Sequence, residues 1–110
     1  MNRIGQVFFY EKLAGIISEN ENGYFFQYDE QYLNQENTQA ISLALPLQKQ
    51  TFHENILFPF FDGLIPEGWL MDIAVENWKL NYRDRMGLLL TVCQDCIGAV
   101  SIIPQITDEI

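Results

Sequence analysis

The stretch Phe60-Phe61-Asp62-Gly63-Leu64-Ile65-Pro66-Glu67-Gly68-Trp69 organises the chain, because it predicts the end of one helix, a sharp connection and the start of another. Gly63 suits a left-handed residue at the end of the first helix, since glycine has no Cβ to clash there. Pro66 suits the first turn of the second helix, where its missing N–H has no partner within the helix. Glu67 complements the helix dipole. We therefore expect a helix from Pro66 to about residue 80, with Trp69 in its first turn.

The side chains of this predicted helix divide into two faces when they are placed at about 100° per residue. One face, expected to pack on the core, carries Leu70, Met71, Ala74, Val75 and Trp78. Trp69 and Ile73 project on nearly the opposite side, and an exposed tryptophan beside an exposed isoleucine is typical of a binding hot spot. The predicted partner-binding residues are Pro66, Glu67, Trp69, Asp72, Ile73 and Glu76. The alternative is that Trp69 folds back and packs on Phe58 or Phe61.

The composition predicts one folded domain, because the chain has 110 residues, of which 48% are hydrophobic and 14% aromatic. We place this domain at residues 1–104, followed by a short tail at residues 105–110. Acidic residues outnumber basic ones 15 to 6, which gives a net charge of −9. This balance argues against direct binding of nucleic acid, which requires lysine and arginine to neutralise phosphates. It fits either a basic protein partner or a charge that serves solubility.

No targeting segment is visible in the sequence. The residues after Met1 do not resemble a signal peptide, and the apolar runs are too short to cross a bilayer. We therefore expect a cytoplasmic protein that does not bind a membrane. In that compartment the C-x-x-C formed by Cys93 and Cys96 predicts two reduced cysteines, with incidental oxidation as the alternative. A zinc site would require two further ligands, and His53 is the only histidine.

Residues arranged for catalysis are also missing from the sequence. His53 has no neighbouring serine or cysteine placed as a nucleophile, and Asp62 and Glu67 lie at a helix boundary, where carboxylates usually act as caps. The glycines stand singly, so no phosphate-binding loop is predicted. We expect no enzymatic activity, no cofactor, no metal and no small-molecule ligand.

The remaining patterns predict an α+β domain with a small antiparallel or mixed sheet and about three helices. Residues 6–10, residues 13–18 and Gly23–Tyr28 predict an antiparallel meander, with Asn22-Gly23 as the hairpin turn. Asp29 predicts an N-cap for a short helix, Glu30–Leu33.

The second half of the sequence predicts two more strands and two more helices besides the Trp69 helix. Residues 40–45 alternate as a half-buried strand that Pro46 ends. Residues 51–54 have the form of a capping box, for a helix that should reach about Asp62 with a kink or a late start at Pro59. Another helix is expected from about residue 82 to Val92, with Met86, Leu89, Leu90 and Cys93 on one face. A final strand is expected over residues 97–103, closed by Pro104.

Three segments occur in order along the chain: A-I-S-L-A-L-P-L-Q at residues 40–48, F-F-D-G-L-I-P at residues 60–66, and Q-D-C-I-G-A-V-S-I-I-P at residues 94–104. Together they resemble the N-terminal subdomain of HipA-type toxin kinases, in which S-L-S-L-P-L, F-F-D-x-L-x-P and G-x-D-x-x-G-A-V segments recur. The resemblance covers nearly the whole chain. The chain departs from it at Pro59, Gly63 and Cys96, and none of these departures obviously breaks the fold.

A full HipA kinase would continue after Pro104 into its ATP-binding and catalytic lobes, whereas this sequence ends six residues later. The chain therefore also resembles the HipS family, the small antitoxins of HipBST toxin–antitoxin systems. That resemblance implies a HipT-like serine/threonine kinase as the partner, a HipB-like helix-turn-helix protein in a ternary complex, and no ATP binding by this chain. Our hypothesis, which combines this resemblance with the helical geometry, is that Trp69 and Ile73 insert into a cleft of the kinase.

Four interpretations of function follow. The leading one is an antitoxin that binds a kinase and inhibits it in trans. The second is a structural subunit that links the kinase to a HipB-like repressor without inhibiting it. The third is an enzyme that acts through the C-x-x-C, and the fourth is a piece of a longer HipA-like chain.

Overall fold

The computed structural model describes residues 3–65, 84–93 and 99–105, and in this part of the chain five strands form one antiparallel sheet beside three short helices. The strands are β1 (Arg3–Phe9), β2 (Lys12–Asn20), β3 (Gly23–Tyr28), β4 (Phe52–Glu54) and β5 (Val100–Gln105). The helices are α1 (Glu30–Leu33), α2 (Pro59–Asp62) and α3 (Arg85–Val92). The sheet order is β4-β3-β2-β1-β5. The predicted α+β class is confirmed, and every strand pair is antiparallel.

The predicted meander is present as β1, β2 and β3. Asn20 pairs with Gly23 across a two-residue turn, and the Asn20 side chain accepts a hydrogen bond from the Asn22 N–H at 2.7 Å. Gly23 has a φ of +127°, a conformation that strains a residue with a side chain, and this explains why glycine follows Asn22. The predicted cap of α1 is also confirmed, because Asp29 accepts a hydrogen bond from the Tyr32 N–H at 3.2 Å.

Helix α3 packs on one face of the sheet and closes the core. Met86, Leu89 and Cys93 are fully buried on the predicted face, and Leu90 is partly buried beside them. Leu90 lies so close to the sheet that a Cβ on Gly5 would come within 2.6 Å of its Cδ2 atom. The absence of a side chain at Gly5 therefore allows this helix to approach β1.

An ion-pair cluster fixes the start of α3 to the sheet. Arg3 binds both carboxylate oxygens of Asp84 at 2.7 and 2.8 Å, and its Nε donates to Glu19 at 2.6 Å. Asp84 also caps α3 by accepting a hydrogen bond from the Gly87 N–H at 3.1 Å. These contacts lower the pKa of Asp84, chiefly through the hydrogen bonds from Arg3, and they raise the pKa of Arg3.

Two predicted elements are wrong. Residues 40–45 are not a strand: they form a turn in which the Leu45 N–H donates to the Ser42 carbonyl at 3.0 Å. Residues 51–54 do not cap a helix, because Phe52–Glu54 forms β4 and pairs with β3. The following helix begins at Pro59, so the late start is confirmed and the longer helix is not.

Two predicted ends of elements also need correction. Gly63 terminates α2 with φ −70° and ψ −12°, a right-handed conformation, so the left-handed cap is wrong. Pro104 does not close the last strand but lies within β5, opposite Gly5. A proline is tolerated there because β5 is an edge strand and its outer side requires no ladder hydrogen bond.

Candidate partner-binding surface

The residues predicted to bind a partner lie outside the described residues. They are Pro66, Glu67, Trp69, Asp72, Ile73 and Glu76. The structure describes the segment before this site, which runs up to Ile65. It also describes the surfaces formed by the other described residues.

The segment that leads to Pro66 is held firmly against the core. Phe61 is fully buried, and Ile65 is 3% exposed. The Gly63 N–H donates to the Pro59 carbonyl at 2.9 Å, which closes α2. Asp62 accepts a hydrogen bond from Arg85 Nε at 2.6 Å, which ties the end of α2 to the start of α3. These contacts hold the chain as far as Ile65, the last residue described before the predicted site.

A tight turn formed by residues 42–45 presents an apolar side chain to solvent. Ile41 and Leu45, on either side, are buried, whereas Leu43 is fully exposed, at 102%. The Ala44 N–H donates to the Ser42 hydroxyl at 3.1 Å, so the turn is closed by a side chain as well as by its backbone. The alternating pattern had placed Ile41, Leu43 and Leu45 on the same face of a strand, and the structure separates Leu43 from the other two.

The hydroxyl group of Tyr28 anchors this turn to the sheet. It accepts a hydrogen bond from the Ile41 N–H at 3.1 Å and donates one to the Leu45 carbonyl. Tyr28 is 3% exposed, and its burial raises the pKa of the phenol, so the hydroxyl keeps the proton that it donates. No signal in the sequence links Tyr28 to the turn, because the contact joins positions 13 and 17 residues apart.

A shallow apolar groove of about 140 Å³ adjoins the turn. Its lining comes from the turn, from β4 and from the start of α2: Ala44, Leu45, Phe52, Glu54, Phe58, Pro59 and Phe60. Glu54 is the charged residue of this lining. We call Leu43 and this groove the turn–groove surface. It is apolar with one acidic group, a composition suited to binding a protein.

The residues considered for chemistry are occupied in structural contacts. His53 is exposed, stacks on Phe25 with ring centroids 4.7 Å apart, and has its Nε2 atom 2.9 Å from the Asn22 carbonyl. Cys93 is buried, and its Sγ donates to the Leu64 carbonyl at 3.3 Å, while Cys96 lies outside the described residues. Within residues 3–65, 84–93 and 99–105, no group of three or more acidic, cysteine or histidine residues is placed to hold a metal.

A family comparison accounts for the fold and the motifs together. Residues 5–103 match the family model of the HipA N-terminal domain. The chain belongs to this family. A solved structure titled "N-terminal domain of HipA toxin" superposes with a TM-score of 0.70 at 26% sequence identity, covering 96% of this chain and 94% of the other.

Two relatives match nearly the whole of this chain but differ in their own length. An uncharacterized protein of Haemophilus influenzae is 33% identical over 100 residues, which make up 91% of this chain and 91% of that protein. The putative kinase Y4mE of Sinorhizobium fredii is 27% identical over 104 residues, which make up 94% of this chain. The matching region is 25% of that kinase, so this chain spans about a quarter of its length.

The described parts of the three sequence motifs lie in the turn, in and after α2, and in β5. The first segment, residues 40–48, forms the Leu43 turn, and the second, residues 60–66, contains most of α2. The third, residues 94–104, ends in β5. Across the described part of this domain, no helix has the length and hydropathy that a membrane span requires.

Proposed function

We propose that this protein is a HipS-type antitoxin of the cytoplasm, which binds a HipT-like kinase toxin and inhibits it in trans. The observation that carries the proposal is the match of residues 5–103 to the HipA N-terminal domain. The protein itself would be non-catalytic, since its described histidine and cysteine make structural contacts.

The two relatives support action in trans. In the putative kinase, the domain is part of a longer chain, whereas the Haemophilus relative matches this chain over nearly its whole length. A family that contains both arrangements fits a domain that associates with a kinase either covalently or as a separate protein. Association in trans requires an interface, and exposed apolar side chains such as Leu43 would supply part of it.

Trp69 is the proposed anchor of that interface. It lies four residues beyond Ile65, which is buried, and the preceding α2 is fixed to α3 by the Asp62–Arg85 ion pair. Burial of one tryptophan at an interface typically contributes about 2–4 kcal/mol. Glu67, Asp72 and Glu76 would favour encounter with a basic surface of the kinase.

Binding and inhibition are tested with a HipT-like kinase from the organism that encodes this protein. The wild type should co-purify with the kinase, suppress its autophosphorylation and restore host growth, and Trp69→Ala should lose all three effects. Tyr10→Asn is the matched control, because Tyr10 is an aromatic residue 71% exposed at φ +58°, a conformation that asparagine tolerates. This control should behave as the wild type. Full protection by Trp69→Ala would refute the proposed anchor.

The same experiment separates the other interpretations. Binding without loss of kinase activity would favour the structural subunit, which joins the kinase to a HipB-like repressor. A Cys93→Ser, Cys96→Ser double variant addresses the enzyme interpretation, because retained protection of the host would exclude thiol chemistry as the basis of function. Absence of binding by the wild type would refute the antitoxin proposal itself.

A further inference from the structure

Leu43 combines full exposure with a rigid support. The side chain is 102% exposed, although leucine transfers favourably out of water. Its turn is closed by the Leu45 N–H bond to Ser42 and by the Ala44 N–H bond to the Ser42 hydroxyl. A single exposed leucine is ordinary on a protein surface, so the support beneath it is the informative feature.

That support reaches the core through Tyr28. The phenol ring is buried and packs edge-on against Phe26, with ring centroids 4.9 Å apart. Its hydroxyl holds the N–H of Ile41 on one side of the turn and the carbonyl of Leu45 on the other. The backbone that carries Leu43 is therefore held by hydrogen bonds on both sides, which reduces the backbone entropy lost on binding.

The groove lies next to Leu43 and is a recess, whereas Leu43 projects into solvent. Ala44 and Leu45 belong to the turn and also line the groove, whose other walls are Phe52 and residues 58–60. A volume of about 140 Å³ accommodates one apolar side chain. Glu54 places a carboxylate in the same lining. The surface thus offers one projecting leucine, one apolar recess and one negative charge.

We propose that the turn–groove surface is a second contact site for the kinase, separate from the segment that carries Trp69. Leu43 enters an apolar recess of the kinase, and an apolar kinase side chain next to a lysine or arginine occupies the groove and pairs with Glu54. This inference rests on the proposed function, since it assigns a further contact to the same partner.

Charge decides between this occupant and a second copy of the chain. Two copies would bring together proteins that each carry −9, and would place their Glu54 carboxylates in a shared interface. Like charges oppose such an association, whereas a basic partner is attracted to the same surface. A kinase surface with lysine or arginine around an apolar side chain therefore fits better than self-association.

The test is the affinity of this 110-residue protein for the same HipT-like kinase, measured by surface plasmon resonance. Leu43→Ser should weaken binding at least tenfold, about 1.4 kcal/mol, and leave the unfolding midpoint unchanged because Leu43 is exposed. Glu54→Lys should slow association by a similar factor, since it reverses the charge in the groove. Tyr10→Asn, which alters an exposed aromatic outside the groove, should bind as the wild type does.

Each outcome bears on one proposal or on both. Wild-type affinity of the Leu43→Ser variant, with Trp69→Ala still impaired, would overturn the second contact site and leave the antitoxin proposal standing. Absence of wild-type binding would overturn both. Sedimentation of the protein alone should show a monomer, and a dimer that Leu43→Ser dissociates would assign the surface to a second copy and overturn this inference.

Discussion

The hydroxyl group of Tyr28 joins the two ends of the turn at residues 41–45, which is also closed by two hydrogen bonds to Ser42. Tyr28→Phe keeps the buried ring but leaves the Ile41 N–H and the Leu45 carbonyl without their partner. An unsatisfied buried polar group costs about 1–3 kcal/mol, so we expect the free energy of unfolding to fall by an amount in that range. Urea unfolding measures this change. We also expect weaker kinase binding, because the turn that presents Leu43 is released.

Tyr32→Phe is the matched control for Tyr28→Phe. Tyr32 is equally buried, at 3% exposure, but its hydroxyl makes one hydrogen bond, to the Gln39 carbonyl at 2.6 Å. Its removal should lower the free energy of unfolding by less and should leave kinase binding unchanged. Equal losses of stability and affinity in the two variants would show that the turn does not depend on Tyr28.

The carboxylate of Asp84 makes stability depend on pH. Its pKa in the folded protein lies below its ordinary value because of the hydrogen bonds from Arg3. A lowered folded pKa stabilises the fold above the unfolded pKa of about 4, and this contribution is lost as the pH falls toward the folded pKa. Asp84→Asn should therefore cost about 1 kcal/mol or less at pH 7, and the difference from the wild type should shrink below pH 4.

A double-mutant cycle isolates the Arg3–Asp84 pair. In an Arg3→Gln background, Asp84→Asn should change the free energy of unfolding little, since the charge that the carboxylate faces is gone. Urea unfolding at several pH values provides both comparisons. A difference between wild type and Asp84→Asn that stays constant down to pH 3 would contradict the linkage.

At the scale of the element, α3 requires Gly87 because a side chain there would collide with the helix cap, Asp84. Helix propensity alone predicts that Gly87→Ala stabilises the protein by about 0.8–1.0 kcal/mol. A Cβ at this position, however, would lie 2.9 Å from Asp84 Cγ and 3.2 Å from Arg3 Nη1. Displacement of Asp84 removes both the cap, worth about 1 kcal/mol, and the ion pair. We therefore expect Gly87→Ala to lower the melting temperature.

The Asp84→Ala background tests this explanation of Gly87. Without the carboxylate the close contacts with Asp84 are gone, and Arg3, which lies 3.2 Å from the added Cβ, loses the partner that holds it there. Gly87→Ala should therefore become stabilising in that background. The same sign of effect in both backgrounds would show that helix propensity, or some other contact, decides the outcome.

The elements that could be predicted from the sequence are those specified by local chemistry. The side chains of Asn20 and Asp29 accept hydrogen bonds from backbone N–H groups two and three residues ahead, and the hairpin and α1 were predicted correctly. The turn itself is Glu21-Asn22, one residue before the predicted Asn22-Gly23. Residues 40–45 have an equally regular pattern, but Tyr28, 13 residues before Ile41, binds their backbone and imposes a turn. Residues 51–54 contain a capping signal, but pairing with β3 satisfies the same backbone groups as a strand. Long-range hydrogen bonds decided both cases.

In the candidate site, too, the parts that depend on local sequence could be predicted and those that depend on long-range pairing could not. The Trp69 segment could be proposed because helical spacing is a local property, and it remains a prediction. The turn–groove surface could not be predicted, because residues 40–45, 52–54 and 58–60 meet only when β4 pairs with β3. The exposure of Leu43 is likewise a consequence of the turn, and the alternating pattern indicated the opposite environment.

At the scale of the whole molecule, the charge of −9 and the Trp69 anchor should affect different steps of binding. Long-range attraction accelerates encounter and is screened over about 10 Å at 0.1 M salt, whereas a buried aromatic anchor mainly slows dissociation. We expect the association rate with the kinase to fall at least tenfold as salt rises from about 0.05 to 0.5 M. Over the same range, the dissociation rate should change little.

Trp69→Ala separates these two contributions. The variant keeps the charge of −9, so its association rate should show the same salt dependence as that of the wild type, while its dissociation rate should rise at least tenfold. Stopped-flow mixing gives the first rate and surface plasmon resonance the second. An association rate independent of salt would mean that the acidic surface does not face the kinase, and the charge would then be assigned to solubility.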